Sequence, residues 1–123
     1  MILVDTSIWS DHFHASEPLL VSLLADDQVG CHHAVIEELA LGSIKHRDRV
    51  LTLLKSLQGF PILTHEEVMA LVGRRQLWGR GLSAVDVHLL GSVMLVGGAR
   101  LWTRDRRLLA ACRDSTAAYV EEP

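Results

Sequence analysis

Short apolar runs alternate along the chain with longer stretches in which apolar residues recur at helical spacing. Short apolar runs are typical of buried β-strands, whereas recurrence every three or four positions is typical of helices with one buried face. The runs predict strands at residues 1–4, 29–33, 60–63 and 100–103, and a last short strand at 117–120. The helical spacing predicts helices over residues 7–13, 18–27, 34–42, 47–59, 65–79, 83–98 and 105–112.

Residues with capping chemistry mark several of these helix starts. Thr6 or Ser7 is expected to cap the first helix, because a hydroxyl can accept a hydrogen bond from a free backbone N–H. Thr64 precedes Glu67 by three positions, the spacing of a capping box, and Ser83 begins a later helix. These caps indicate the residues at which the predicted helices begin.

Strands that alternate with helices predict a mostly parallel central sheet flanked by helices, a three-layer α/β sandwich with right-handed crossovers. The chain has neither an internal repeat nor a linker, so residues 1–123 are expected to form a single domain. Open parallel sheets bind their ligands at the carboxyl ends of the strands. The residues that follow each strand are therefore the first candidates for a functional site.

The composition indicates a globular protein of the cytoplasm. Hydrophobic residues make up 49% and charged residues 22% of the chain, which excludes a disordered protein. Cys31 and Cys112 form no short-spaced pair, so both are expected to be reduced and buried. The apolar runs are too short to cross a membrane, and the first residues do not resemble a signal peptide.

Four acidic positions stand among residues that are predicted to be buried. Asp5 directly follows the first strand, and Asp105 lies just past the fourth. Asp86 lies in the first turn after Ser83, and either Glu37 or Glu38 faces inward from the third helix. Taken singly, such acids are often helix caps or partners of the helix dipole. Four of them near strand ends and helix starts favour one shared site.

A shared site of this kind requires a cation or protons. Two carboxylates about 5 Å apart repel each other by about 3 kcal/mol at an effective dielectric near 20. Oxygen ligands favour Mg²⁺ or Mn²⁺ over zinc, and the pairs His12/His14 and His32/His33 have no recurrent zinc spacing. An acidic pocket with such an ion predicts metal-assisted hydrolysis of a phosphodiester.

The net charge is −3, but basic residues gather in two segments. The first segment is "GRRQLWGRG", and the second is "ARLWTRDRRLL". Either a solvated helix face or contact with phosphate explains such runs equally well. The three tryptophans are candidates for stacking on bases, but Trp9 and Trp102 lie in apolar runs and are expected to be core residues. Trp78 lies within the first basic segment.

The chain resembles the PIN-domain family, and within it the VapC toxins of bacterial toxin–antitoxin pairs. The resemblance runs through "ILVDTSIW", "VIEELALG", "GRGLSAVDVHLL" and "RLWTRDRRL", in that order. It implies an endoribonuclease that depends on Mg²⁺ or Mn²⁺. The four catalytic and metal-binding acids that it implies are Asp5, Glu38, Asp86 and Asp105.

The same resemblance implies supporting residues and partners. Thr6, Ser7 and Thr103 take the positions of hydroxyls that orient a carboxylate or a metal-bound water. The candidates for contact with the RNA backbone are Arg80, Arg104, Arg106 and Arg107. The protein is expected to form a homodimer and to be inhibited by a VapB-like antitoxin, whose arginine would reach the acidic groove.

Two other functions stay open at this point. A PIN nuclease that processes stable RNA would need no antitoxin. A receiver-like signalling module also gathers aspartates around Mg²⁺ at strand ends, but it requires paired acids after the first strand and a lysine after the last. Here "TRDRR" offers arginines instead.

Overall fold

The computed structural model describes residues 1–122. In this range the strands are β1 (Ile2–Val4), β2 (Val29–Cys31), β3 (Gln58–Gly59) and β4 (Arg100–Trp102). The helices are α1 (Thr6–His14), α2 (Pro18–Ala25), α3 (His33–Ala40), α4 (Arg47–Ser56), α5 (His65–Arg75), α6 (Ala84–Met94) and α7 (Arg106–Asp114). Every predicted helix is present, with some differences at the ends.

The strands form one parallel sheet in the order β3-β2-β1-β4. Ile2 of β1 lies beside Val29 of β2 and Arg100 of β4, so β1 is a central strand. All residues of β1 and β2 are buried, as expected where helices cover both faces of a parallel sheet. The predicted three-layer α/β architecture is confirmed.

The core is one continuous cluster of buried side chains between the sheet and its helices. Trp9 and Trp102 are each 1% exposed, which confirms their predicted place in the core. Cys31 and Cys112 are both free and buried. Burial raises the pKa of each thiol to about 11, so both stay protonated near neutral pH.

The third strand lies earlier in the chain than predicted. Helix α4 ends at Ser56 because Leu57 is already extended, with φ −71° and ψ 155°. Gln58 and Gly59 then pair with β2, and the Phe60 N–H donates to the carbonyl of Cys31 at 2.8 Å. Pro61 follows and has no N–H to continue the ladder, so the predicted strand at residues 60–63 was wrong.

The predicted last strand at residues 117–120 is reduced to one isolated bridge between Leu101 and Tyr119. Several helices also end earlier than predicted; α5 stops at Arg75 because Gln76 adopts the left-handed conformation. Asp5, rather than Thr6 or Ser7, is the N-cap of α1. The predicted single domain extends to Pro123, which lies outside the described residues.

Within residues 1–122, none of the helices is both long enough and apolar enough to cross a membrane.

Candidate active site

Asp5 lies at the carboxyl end of β1, where it is only 6% exposed. Its extended backbone lets the side chain cap α1, and Oδ1 accepts a hydrogen bond of 2.7 Å from the Thr6 N–H. Oδ2 accepts hydrogen bonds from the hydroxyls of Thr103, at 2.6 Å, and Ser7, at 3.0 Å. Because donors hold both oxygens, this carboxylate is fixed in one orientation.

The two hydroxyl groups also join the ends of β1 and β4. Ser7 Oγ accepts a hydrogen bond of 3.2 Å from the Arg104 N–H. Thr103 Oγ1 accepts one of 3.1 Å from the Asp105 N–H. The predicted supporting residues Ser7 and Thr103 therefore form a network with Asp5 and the backbone of Asp105.

Asp105 and Asp86 both lie at the N-terminal ends of helices. Asp105 is the N-cap of α7, and its Oδ1 accepts hydrogen bonds from the N–H groups of Arg107, at 2.9 Å, and Leu108, at 3.1 Å. Asp86 forms a reciprocal capping box with Ser83, in which Asp86 Oδ2 accepts from the Ser83 N–H at 2.9 Å. These capping bonds fix one oxygen of each carboxylate and direct the side chain toward the helix N-terminus.

Glu37 and Glu38 are both exposed, so the prediction that one of them faces inward was wrong, but their contacts differ. Glu38 Oε1 accepts a hydrogen bond of 2.7 Å from Thr6 Oγ1, which links α3 to the first residue after Asp5. Glu37 instead lines a cavity of about 420 Å³ together with His33 and Lys55. Only Glu38 is therefore tied to the start of α1.

The aspartates interact electrostatically. The pKa of Asp86 is raised, chiefly by burial and also by the negative charges of Asp105 and Asp5, while hydrogen bonds from Ser83 act in the opposite direction. A nearby cation would relieve this like-charge repulsion. The described residues contain no cluster of three or more His, Cys, Asp or Glu side chains that is already arranged as a metal site.

The donor set nevertheless fits a hard divalent cation. Glu38, Asp86 and Asp105 each have one carboxylate oxygen that accepts no hydrogen bond from residues 1–122. Carboxylate oxygens are the ligands that Mg²⁺ and Mn²⁺ prefer. The fit rests on this chemistry and on the raised pKa of Asp86.

The predicted RNA-binding arginines have different surroundings. The guanidinium of Arg104 is bound by three carboxylates, those of Asp11 (2.6 Å), Glu17 (2.7 Å) and Glu122 (3.0 Å). These bonds raise the pKa of Arg104 further and lower that of Glu17. A contact between Arg104 and RNA stays a prediction, because phosphate would have to replace those carboxylates.

Arg80 and Arg107 lie at the loop between α5 and α6, residues 76–83. Arg80 pairs with Asp114 at 2.7 Å. Arg107 lies across Gly81, where an added Cβ would come within 2.9 Å of its Nη1. Arg106 is exposed and has no ion pair with any residue in the range 1–122.

Sequence reasoning placed His32 in a strand and did not identify it as the cap of a helix. His32 is the N-cap of α3, and its Nδ1 accepts a hydrogen bond of 3.0 Å from the Ala34 N–H. Its ring lies 6.1 Å from that of His88 on α6. His32 Nε2 and His88 Nδ1 are buried without a hydrogen-bond partner among the described residues. In the sequence, the only sign of this role was the position of His32 between a predicted strand and a predicted helix.

The PIN domain family matches residues 2–114 of the chain. Because this match covers most of the sequence, the chain belongs to the PIN-domain family. It is also similar to "Ribonuclease VapC32" of Mycobacterium tuberculosis, in strains CDC 1551 / Oshkosh and ATCC 25618 / H37Rv. Each of these relatives is 67% identical over 122 residues, which span 99% of this chain and 98% of the relative.

The fold has a counterpart of known structure. A crystal structure of PAE2754 from Pyrobaculum aerophilum matches with a TM-score of 0.56, covering 89% of this chain and 83% of that one. At 23% sequence identity this likeness shows the fold alone. The prediction of a VapC-type PIN-domain ribonuclease is confirmed by the family match and by the two relatives. Ribonucleases of this family depend in general on a metal ion.

Proposed function

We propose that Asp5, Glu38, Asp86 and Asp105 hold one or two divalent cations, Mg²⁺ or Mn²⁺, at which this endoribonuclease hydrolyses RNA. The observation that carries the proposal is the network at the ends of β1 and β4. There Asp5 accepts hydrogen bonds from Ser7 and Thr103, and the pKa of Asp86 is raised chiefly by burial and further by the charges of Asp105 and Asp5. A site that gathers negative charge in this way favours a cation.

Each acidic residue is held by the chain itself. Three hydrogen bonds orient Asp5, and a capping bond orients Asp86 and Asp105 at the starts of their helices. Thr6 orients Glu38 through its hydroxyl. A divalent cation, when bound, activates water for attack and stabilises the charge that develops on phosphate. The chain holds these carboxylate oxygens in fixed positions, so the side chains do not have to reorient during the reaction.

RNA would approach across basic residues. Arg106 and Arg107 lie in the first turn of α7, directly after Asp105, and Arg80 lies in the loop before Asp86. Guanidinium groups bind phosphate oxygens well because they offer several donors in a planar arrangement. These three arginines are the proposed contacts with the RNA backbone, and Arg104 is a further candidate if its carboxylate partners are displaced.

The proposed biological role is that of the toxin in a VapBC-type pair, which inhibits translation in the cytoplasm until a VapB-like antitoxin binds. The names of the two relatives support this role. An arginine of the antitoxin could pair with the acidic residues and compete with the cation. Such a pair predicts a small neighbouring gene for a DNA-binding protein, whose co-expression restores growth. If no such gene is present, a PIN nuclease that processes RNA without an antitoxin is the favoured function. The match to the PIN family excludes the receiver-like signalling module.

A homodimer is part of the proposal. Helices α5 and α6 leave a groove of about 270 Å³ whose apolar lining includes Leu71, Met94 and Leu95. Exposed apolar surface of this kind is common where two subunits meet. Sedimentation analysis tests it: Leu95→Asp should yield a monomer, and Leu53→Asp, on exposed α4 surface, should not. A wild-type monomer would contradict this part of the proposal.

The nuclease proposal is tested with purified protein and RNA in the presence of Mg²⁺ or Mn²⁺. We expect cleavage by the wild type, none after addition of a chelator, and none by Asp5→Asn. Asp48→Asn is the matched control, because Asp48 is fully exposed on α4. Equal cleavage by wild type and Asp5→Asn, or activity that survives the chelator, contradicts the proposal.

A further inference from the structure

The loop between α5 and α6, residues 76–83, displays a tryptophan on the surface. Trp78 is 64% exposed, whereas Trp9 and Trp102 are each 1% exposed. A large aromatic side chain is normally buried to a high degree, and an exposed one often marks a binding surface. No part of the proposed chemistry requires this indole.

The backbone of the loop determines that Trp78 is exposed. The preceding residue, Leu77, is buried, and its N–H donates to the carbonyl of Val72 at 3.1 Å. Gly79 and Gly81 follow with φ angles of 71° and 75°, a region of backbone conformation that favours glycine. Buried Leu77 fixes the backbone just before Trp78, and the turns at Gly79 and Gly81 direct the chain just after it.

The loop leads directly to the acidic site. Trp78, Arg80 and Ser83 line one cavity of about 230 Å³. Ser83 is the N-cap of α6 and shares the capping box with Asp86. A group that lies against the indole is therefore next to the helix start that carries one of the proposed metal ligands.

Basic residues lie before, within and across the loop that carries the indole. Arg74 and Arg75 end α5 and line the groove between α5 and α6, Arg80 lies within the loop and pairs with Asp114, and Arg107 lies across Gly81. Arg74, Arg75 and Arg107 form no ion pair with other residues in the range 1–122. Exposed aromatic rings among basic residues are the usual means of binding single-stranded nucleic acid, where bases stack and phosphates pair with cations.

We propose that Trp78 is a stacking platform for an unpaired RNA base close to the phosphate that is cleaved. This inference rests on the proposed function and adds to it a residue that binds an unpaired base of the RNA. A base within a duplex is stacked on its neighbours and cannot lie on the indole. Arg107, which lies across Gly81 and has no ion pair among residues 1–122, favours RNA over an apolar peptide, because its guanidinium can bind a phosphate beside the stacked base.

Tryptophan fluorescence tests the contact directly, because only Trp78 is exposed to a ligand. The probe is oligo(A), added to wild-type protein in a chelator so that the RNA stays intact, with a blunt RNA duplex as the comparison. We expect oligo(A) to quench the emission and the duplex to have much less effect. Trp78→Ala should remove the response, since the remaining tryptophans are buried.

Kinetics on a single-stranded RNA that the wild type cleaves test the role of the contact. We expect Trp78→Ala to raise KM about 10-fold with little change in kcat, and Trp78→Phe to restore most of the loss. Leu53→Ala, which truncates an exposed apolar side chain on α4, should leave KM unchanged. Circular dichroism checks that the variants are folded.

The two measurements separate this inference from the nuclease proposal. Unquenched emission with oligo(A), or a KM of Trp78→Ala within about twofold of the wild-type value, overturns the platform even if the wild type cleaves RNA. If emission is quenched but no RNA is cleaved with Mg²⁺ or Mn²⁺, the nuclease proposal fails and the RNA-binding platform stands.

Discussion

The hydroxyl of Thr103 donates a hydrogen bond of 2.6 Å to Oδ2 of Asp5. The two residues are 98 positions apart in the chain, and they meet because β1 and β4 are neighbouring parallel strands that end at the same edge of the sheet. Thr103 is 2% exposed, so water cannot easily take its place. The orientation of the Asp5 carboxylate therefore depends on the register of these strands.

Removal of this hydroxyl should impair activity more than folding. Thr103→Val keeps the shape of the side chain but removes a donor to Asp5 Oδ2 and the acceptor of the Asp105 N–H. We expect metal-dependent cleavage to fall about 10- to 100-fold, the usual effect of losing a group that orients a metal ligand. Thr103→Ser, which keeps the hydroxyl, should restore most of the activity. Equal activity of Thr103→Val and wild type in the same RNA assay would show that this hydrogen bond is dispensable.

Glu37 and Glu38 form a matched pair for mutagenesis. Glu38 contacts Thr6 beside the site, whereas Glu37 lines a separate cavity with Lys55. We expect Glu38→Gln to reduce cleavage more than about 100-fold, because losing a ligand should cost more than losing its support, and Glu37→Gln to have little effect. The comparison uses initial rates at saturating Mg²⁺. The opposite order of effects would assign the ligand role to Glu37.

The raised pKa of Asp86 predicts a conflict between stability and function. Burial and the charges of Asp105 and Asp5 disfavour the ionised form in the folded state. The resulting destabilisation is absent at low pH and develops as the pH rises through the raised pKa. Asp86→Asn should therefore raise the Tm at neutral pH by a few degrees without metal, while abolishing cleavage.

Thermal unfolding at several pH values checks this expectation. The gain in Tm should disappear below the ordinary pKa of an aspartate, where the side chains of both proteins are neutral at this position. The asparagine side chain introduced by Asp86→Asn can still accept the hydrogen bond that the Ser83 N–H donates. Both proteins therefore keep this helix cap, and the difference in Tm reports the charge. A Tm for Asp86→Asn below the wild-type value at neutral pH would contradict the prediction.

His32 predicts a loss of stability in mild acid. Its pKa is lowered from 6.5, chiefly by burial and then by the nearby His88 and His33. As the pH falls below about 6.5, the unfolded chain takes up a proton more readily than the folded one, so the free energy of unfolding decreases. This decrease continues until the pH reaches the lowered pKa.

The variant His32→Asn removes the titration and keeps a good N-cap for α3. We expect its denaturant midpoint to change less between neutral pH and mild acid than that of the wild type. His46→Asn is the control, because His46 begins α4 without a side-chain cap bond. Equal pH dependence of wild type and His32→Asn would exclude this histidine as the cause.

Arg104 and Arg107 should affect RNA binding differently. Three carboxylates already neutralise Arg104, whereas Arg107 has no ion pair in the described part of the chain. Arg107→Gln should reduce the slope of log binding constant against log salt concentration by about 0.7. Arg104→Gln should leave the slope unchanged but lower the Tm, since it releases Asp11, Glu17 and Glu122. A reduced slope for Arg104→Gln would show that RNA displaces those carboxylates.

Local sequence was sufficient for most of the elements. Short apolar runs identified β1, β2 and β4, and the capping box of Thr64 and Glu67 is present as predicted. The third strand was wrong because Gln58 and Gly59 have no apolar pattern; they pair with β2 only because α4 ends just before them. Pairing between distant segments can select a strand that its own composition does not indicate.

The sequence by itself determined that Asp5 and Asp105 follow strands and that Asp86 begins a helix, because hydrophobic spacing and caps are local properties. Tertiary structure alone decided the relationships among them. Parallel pairing of β1 with β4 joined Thr103 to Asp5, and the position of α3 tied Glu38, rather than Glu37, to Thr6. Folding also enclosed Arg104 among three carboxylates and left Trp78 exposed. Such contacts depend on how distant segments pack, which a pattern along one segment does not specify.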